Sequence, residues 1–242
     1  MHVYRIAEMN IAVQAQYEKT YEYMADFLTD SEDYDLYIAP TEEMIRREAE
    51  LGEEIHGTPQ TLYICEAVAV LRVICDDIIH RGGFFLHCSC LRYRDEAIIF
   101  TAPSGTGKST HAALWRRHFG DQVMMINDDK PLVREKDGRF HIYGTPWNGK
   151  HGIGNNISAP IRAVVFLHQA QENTAEPLDP FRALSLILQQ TVIPSGKDSL
   201  STLLDMLGRM MEQVPMYSLG CTISDEAVQT IHHAIYGEYH EE

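Results

Sequence analysis

"AIIFTAPSGTGKST", residues 97 to 110, decides how the rest of this chain reads. It opens as an apolar, β-like run, "AIIFTA". It then crowds two glycines, a lysine and several small hydroxyl residues into a few positions, and "STHAALWRRHF" follows with helical composition up to Gly120. A strand, a glycine-rich turn and a helix in that order form a cradle for phosphate. The pattern sought is G-x-x-x-x-G-K-[ST], and residues 102 to 109 match it except that Ala102 stands at the first glycine. Gly105 and Gly107 permit backbone conformations that turn N–H groups inward around an anion. Lys108 adds a point charge near the outer phosphates. The Ser109 hydroxyl suits Mg²⁺, and the start of the helix points its positive end at the same place. The expected nucleotide contacts are therefore Ser104, Gly105, Thr106, Gly107, Lys108, Ser109 and Thr110. ATP or another nucleotide and Mg²⁺ are the expected ligands.

Such a loop needs a carboxylate at the end of a nearby apolar strand. "VMMINDD" supplies two, and Asp128 lies twenty residues after Lys108. One carboxylate can hold the metal and the other can take a proton from an attacking hydroxyl. Asp128 is assigned here as the base and Asp129 as the group on the metal side, beside Ser109. Spacing alone leaves the reverse assignment open.

Composition sets the limits. The chain has 242 residues, 45% of them apolar and 23% charged, which is ample for a core. Its net charge of −15 opposes nucleic acid as a general partner. It also means that any phosphate site must be built locally. No apolar run reaches the length of a membrane span. "MHVYRIAEMN" lacks the basic and apolar regions of a signal peptide. The five cysteines, Cys65, Cys75, Cys88, Cys90 and Cys221, are odd in number and form no Cys-x-x-Cys pair. They read as small buried hydrophobes in a reducing cytoplasm. Partners are then a nucleotide and a hydroxyl-bearing small molecule or peptide, with oligomerisation left open.

Along the chain, residues 3–13 read as a hairpin and 33–40 as a short strand ended by Pro40. Thr41 suits the N-cap of a helix through about Leu51, stopped by Gly52. Pro59 opens a largely apolar helix. "FFLHCSCLRY" reads as one β run, joined to "AIIFTA" by a polar turn at Arg94, Asp95 and Glu96. "PLVRE" and "RFHIY" flank Lys136, Asp137 and Gly138, a strong hairpin signal. "IRAVVFLHQ" and "VPMYSL" read as strands, and helices are expected over 179–192, 199–213 and 224–236. "EYHEE", 238–242, reads as a frayed tail. The expected division is an N-terminal α+β segment, residues 1–80, and an α/β core, residues 81–242. "GTPWNGKHGIGNN", 144–156, combines so many glycines and asparagines with Lys150 and His151 that it reads as a functional loop. There Lys150 or His151 neutralises transferring charge or positions an acceptor. Arg116 or Arg117 could reach a phosphate, but both read first as part of a solvated helix face.

Three features, "SGTGKST", "INDD" and the upstream "FFLHCS", resemble the kinase domain of HPr kinase/phosphorylases, in the wider group that includes phosphoenolpyruvate carboxykinases. The resemblance covers roughly residues 80–170, and residues 1–80 do not share it. It implies an α/β fold with a mixed β-sheet around the P-loop, which suits the hairpin after Asp129. It implies phosphoryl transfer from a nucleotide to a hydroxyl, with Asp128 as the catalytic aspartate and His87 near the transferred phosphate, beside Lys108. The 144–156 loop departs from classical HPr kinases and is closer to small HPr-kinase-like proteins. Two alternatives stay open: a protein serine kinase/phosphorylase of the HPr type, and a nucleotide-binding regulatory or accessory protein without turnover.

Overall fold

The computed structural model describes residues 1–237; the tail "EYHEE" lies outside the described residues. The chain divides into two compact units, Met1–Arg81 and Gly82–Glu242.

In the first unit, β1 (His2–Ile6) and β2 (Met9–Val13) form the expected hairpin. Ala7 and Glu8 between them are both left-handed, which gives the twist that a two-residue hairpin turn needs. A one-and-a-half-turn helix, α1 (Glu18–Tyr23), precedes β3 (Leu36–Ile38), which joins β2 in parallel. Helix α2 (Glu42–His56) starts where Thr41 accepts a hydrogen bond from the Met44 amide. It runs through Gly52 and stops at left-handed Gly57, five residues beyond the predicted end. A glycine inside a helix costs only about 1 kcal/mol and is no stop by itself. Helix α3 (Leu62–Ile78) begins three residues after Pro59 and packs on α1 and α2. Its Glu66 is fully buried and accepts from the Gln16 and Tyr17 amides and the Thr20 hydroxyl.

The second unit is a mixed sheet with helices. The predicted run "FFLHCSCLRY" is two strands, β4 (Gly83–Phe85) and β5 (Ser89–Tyr93), with residues 86–88 irregular between them. The break is physical: β4 pairs with one part of the sheet and β5 with another, so the chain must cross over at His87. Strand β6 (Glu96–Thr101) and helix α4 (Lys108–Phe119) flank the glycine-rich turn. They are followed by β7 (Val123–Asn127), β8 (Leu132–Lys136) and β9 (Arg139–Tyr143). The β8–β9 turn carries left-handed Asp137 and Gly138, as its composition demands.

Strand β10 (Ser158–Gln169) is the longest, and its bonding explains the architecture. Its start pairs antiparallel with β9, its middle parallel with β6 and its end parallel with β12 (Met216–Cys221). Strand β11 (Thr174–Pro177), not foreseen from sequence, adds antiparallel to β12. It is short and largely exposed and ends in proline, so it shows no alternation. The path β4-β8-β9-β10-β6-β5-β7 is a mixed sheet, as expected for this α/β core. Helices α5 (Pro180–Leu188), α6 (Lys197–Gln213) and α7 (Asp225–Tyr236) complete the unit. An apolar cluster joins α4, α7 and the β5–β6 strands, centred on Tyr93, Phe100, Trp115 and Phe119. It anchors α4, and with α4 the glycine-rich turn at its head. No helix among the described residues is long and apolar enough to cross a membrane.

Candidate functional site

The turn between β6 and α4 has the backbone that its glycines were expected to supply. Gly105 and Gly107 have φ of +80° and +115°, a region L side chains rarely adopt. A Cβ at either position would meet no atom within 4 Å, so open space lies beside the turn. Lys108, the first residue of α4, is buried, and its Nζ donates to the Ala102 carbonyl at 2.9 Å. Burial lowers the Lys108 pKa below the ordinary lysine value, opposed by Cys88, Asp129 and Asp128. Those three groups therefore lie within electrostatic reach of its ammonium. Burial drives the Cys88 thiol well above its usual range, which keeps it neutral.

The two aspartates after β7 occupy different surroundings. Asp128 is buried and accepts from the Ser89 hydroxyl at 2.5 Å. Asp129 is bound by Lys130 and has His87 Nε2 3.3 Å from its Oδ1. Burial pushes the Asp129 carboxyl up, but His87's hydrogen bond and the charge of Lys130 outweigh it, so its pKa falls below the usual carboxylate value. His87 is oriented from its other side: its amide donates to the Gln190 carbonyl at 2.7 Å and Nδ1 lies 3.2 Å from Gln190 Oε1.

Asn127 connects this turn to the 144–156 loop. Its side chain is fully buried. Nδ2 donates to the Thr145 carbonyl, the Thr145 hydroxyl and Asn148 Oδ1 at 3.1, 3.1 and 2.8 Å. Oδ1 accepts from the Asp129 and Lys130 amides, both at 2.8 Å. Backbone bonds from Asn155 to Ile126 and from Lys130 to Trp147 fasten the same two segments.

A cavity of about 330 Å³ lies beside α4, lined by Ser109, Thr110, Ala112, Ala113, Arg116, Met125, Asp128, His151 and Ile153. Of the residues predicted from sequence, it unites Ser109, Thr110, Asp128 and His151. Buried Lys108 lies within electrostatic reach of Asp129, which with His87 is half-buried. Lys150 does not line the cavity, and neither do Ser104 to Gly107, which form the turn itself. Sequence reading missed Ser89 and Asn127. Ser89 stands two residues after His87 in "FFLHCS", and Asn127 directly before the aspartates. Arg116 is exposed, as a solvated helix face requires, and it follows Ser109 by seven residues, two helical turns on, so it shares that side of α4 and lines the cavity.

Among the described residues no three His, Cys, Asp or Glu side chains converge as a ready-made metal site. A hydroxyl and a carboxylate on one cavity fit a nucleotide-borne Mg²⁺ nonetheless, because phosphates and water supply most of its ligands.

No curated protein matches the chain. Among solved structures it is similar to an HPr(Ser) kinase/phosphatase from Coxiella burnetii, with 13% identity and a TM-score of 0.35 over 62% of this chain and 95% of that one. A family model matches residues 53–236, well over half of the chain, and by it the chain belongs to the family described as SynChlorMet cassette protein ScmC.

Proposed function

We propose that this chain is a Mg²⁺-dependent phosphotransferase that moves a phosphoryl group from a nucleotide, ATP in the simplest case, to a hydroxyl. The observation that carries the reading is that Ser109, at the head of α4, and buried Asp128 line one cavity beside an open glycine-rich turn. Gly105 to Thr110 and Lys108 would hold the phosphates. Ser109, with a carboxylate, would hold the metal, which supplies neutralising charge to the phosphates when bound. Asp128 faces the cavity and takes the acceptor's proton as the acceptor oxygen bonds to the outer phosphorus. The phosphorus–oxygen bond to the nucleoside diphosphate breaks in the same transfer, and the diphosphate leaves with that electron pair. Ser89 fixes one Asp128 oxygen and leaves the other without a partner among the described residues. Asp129, held by His87 and Lys130, contributes negative charge near Lys108 on the metal side.

Calorimetry with Mg-ATP tests this, comparing wild type, Lys108→Ala and Asp128→Asn. The expectation is binding by wild type and at least tenfold weaker binding by Lys108→Ala. Asp128→Asn should bind within a few-fold of wild type while its turnover falls by about 10²–10⁴, the usual contribution of a general base. Wild type that binds no nucleotide would sink the proposal. Equal loss of binding and turnover in Asp128→Asn would remove the base assignment.

A further inference from the structure

Arg116 has no use in the scheme above, yet it lines the same cavity as Asp128. Several other arginines of this unit are paired: Arg117 with Asp225, Arg162 with Glu96 and Arg209 with Glu135. The Arg116 side chain has no hydrogen bond or ion pair among the described residues, and neither has that of His151, which lines the same cavity. A protein of net charge −15 repels anions in general, so an exposed, unpaired arginine on the lining of a cavity offers them a local positive charge.

The geometry restricts what it meets. Arg116 follows Ser109 by seven residues, roughly 10 Å along the helix axis. Helical side chains lean toward the N-terminus, so its side chain covers the preceding turn, at Ala112 and Ala113. The apolar part of the lining is formed by Ala112, Ala113, Met125 and Ile153. The cavity, about 330 Å³, is at the lower end of the small-ligand range. The same cavity thus offers a carboxylate suited to a hydroxyl and a planar cation suited to an oxyanion.

Building on the phosphotransferase reading, we propose that the acceptor is a small hydroxyl compound that also carries a carboxylate or phosphate, and that Arg116 binds this anionic group while the hydroxyl is presented to Asp128. His151 lines the same cavity.

The test is calorimetric titration with inorganic phosphate and, separately, acetate. Protein is first saturated with Mg²⁺ and a non-hydrolysable ATP analogue, so that the phosphate turn is already filled. At least one anion should bind wild type, and the tighter of the two tells phosphate ester from carboxylic acid. Arg116→Gln should weaken it tenfold or more, with partial recovery in Arg116→Lys, and should leave the analogue's affinity within twofold. No anion binding to wild type, or equal binding to Arg116→Gln, overturns the proposal. So does a parallel loss of analogue affinity, which would assign the arginine to the nucleotide. If wild type binds no nucleotide, the kinase reading fails by itself. Phosphate binding that still depends on Arg116 would then leave the anion pocket standing.

Discussion

Asn127 shows how much one side chain can organise. It is fully buried and every polar atom of its amide is used, three acceptors against Nδ2 and two backbone donors against Oδ1. Asn127→Ala strands buried groups on both segments, and each unsatisfied group costs about 1–3 kcal/mol. A loss of roughly 2–3 kcal/mol in urea unfolding is expected. Asn127→Asp should also destabilise, since a carboxylate keeps the two accepted bonds and faces three acceptors. An Asp variant as stable as wild type would show that the Nδ2 bonds contribute nothing. At this scale the sequence was legible where a short local pattern acts: the left-handed backbone of Gly105 and Gly107, and Ser109 and Asp128 brought to one cavity. It was illegible where a role depends on a distant partner. Nothing local says that Ser89 meets Asp128, thirty-nine residues away, or that Asn127 meets Thr145.

At the scale of elements, the 144–156 loop is shaped by close approach. Gly154 forms an isolated bridge with Asn127, and a Cβ on it would lie 1.9 Å from Asn148 Oδ1. Asn148 Oδ1 is itself an acceptor for Asn127. Gly154→Ala therefore displaces Asn148 and the turn carrying His151. The expected outcome is a loss of about 1–3 kcal/mol, the range for overpacking, read as a lower unfolding midpoint. Wild-type stability would mean that the loop re-forms around the methyl. Hairpins and helix starts were readable because turn chemistry and caps act within four residues, as at Thr41 and Asp137–Gly138. The break at 86–88 was not, because both flanking stretches are apolar and β-like. Only their assignment to separate parts of the sheet divides them.

For the whole molecule, buried histidines set the response to acid. Burial pushes the pKa values of His111 and His232 down to about 4. Unfolded, each would titrate near 6.5. Above that both states are neutral and stability is undiminished. As pH falls from 6.5 toward 4 the unfolded chain takes up protons that the folded chain refuses, and stability is lost. At about 1.4 kcal/mol per pKa unit, His111 alone withdraws roughly 3 kcal/mol. Depression of the Asp129 pKa adds to the loss at still lower pH. Urea unfolding at pH 7.5, 5.5 and 4.5 should show the decline, and His111→Gln should flatten it. Equal slopes in the two proteins would clear His111.

The way β10 is shared has a consequence for the chain as it is made. Strand β6 finds its parallel partner only when β10 appears, with Ile99 waiting for Val164. The end of β10 then waits for β12, where Val164 meets Met216. At synthesis rates of about 5–20 residues per second, each interval lasts several seconds. During the first, "AIIFT" offers one unpaired, apolar edge to whatever else is nearby. The glycine-rich turn of the finished protein is thus attached to a strand exposed to mispairing in the nascent one.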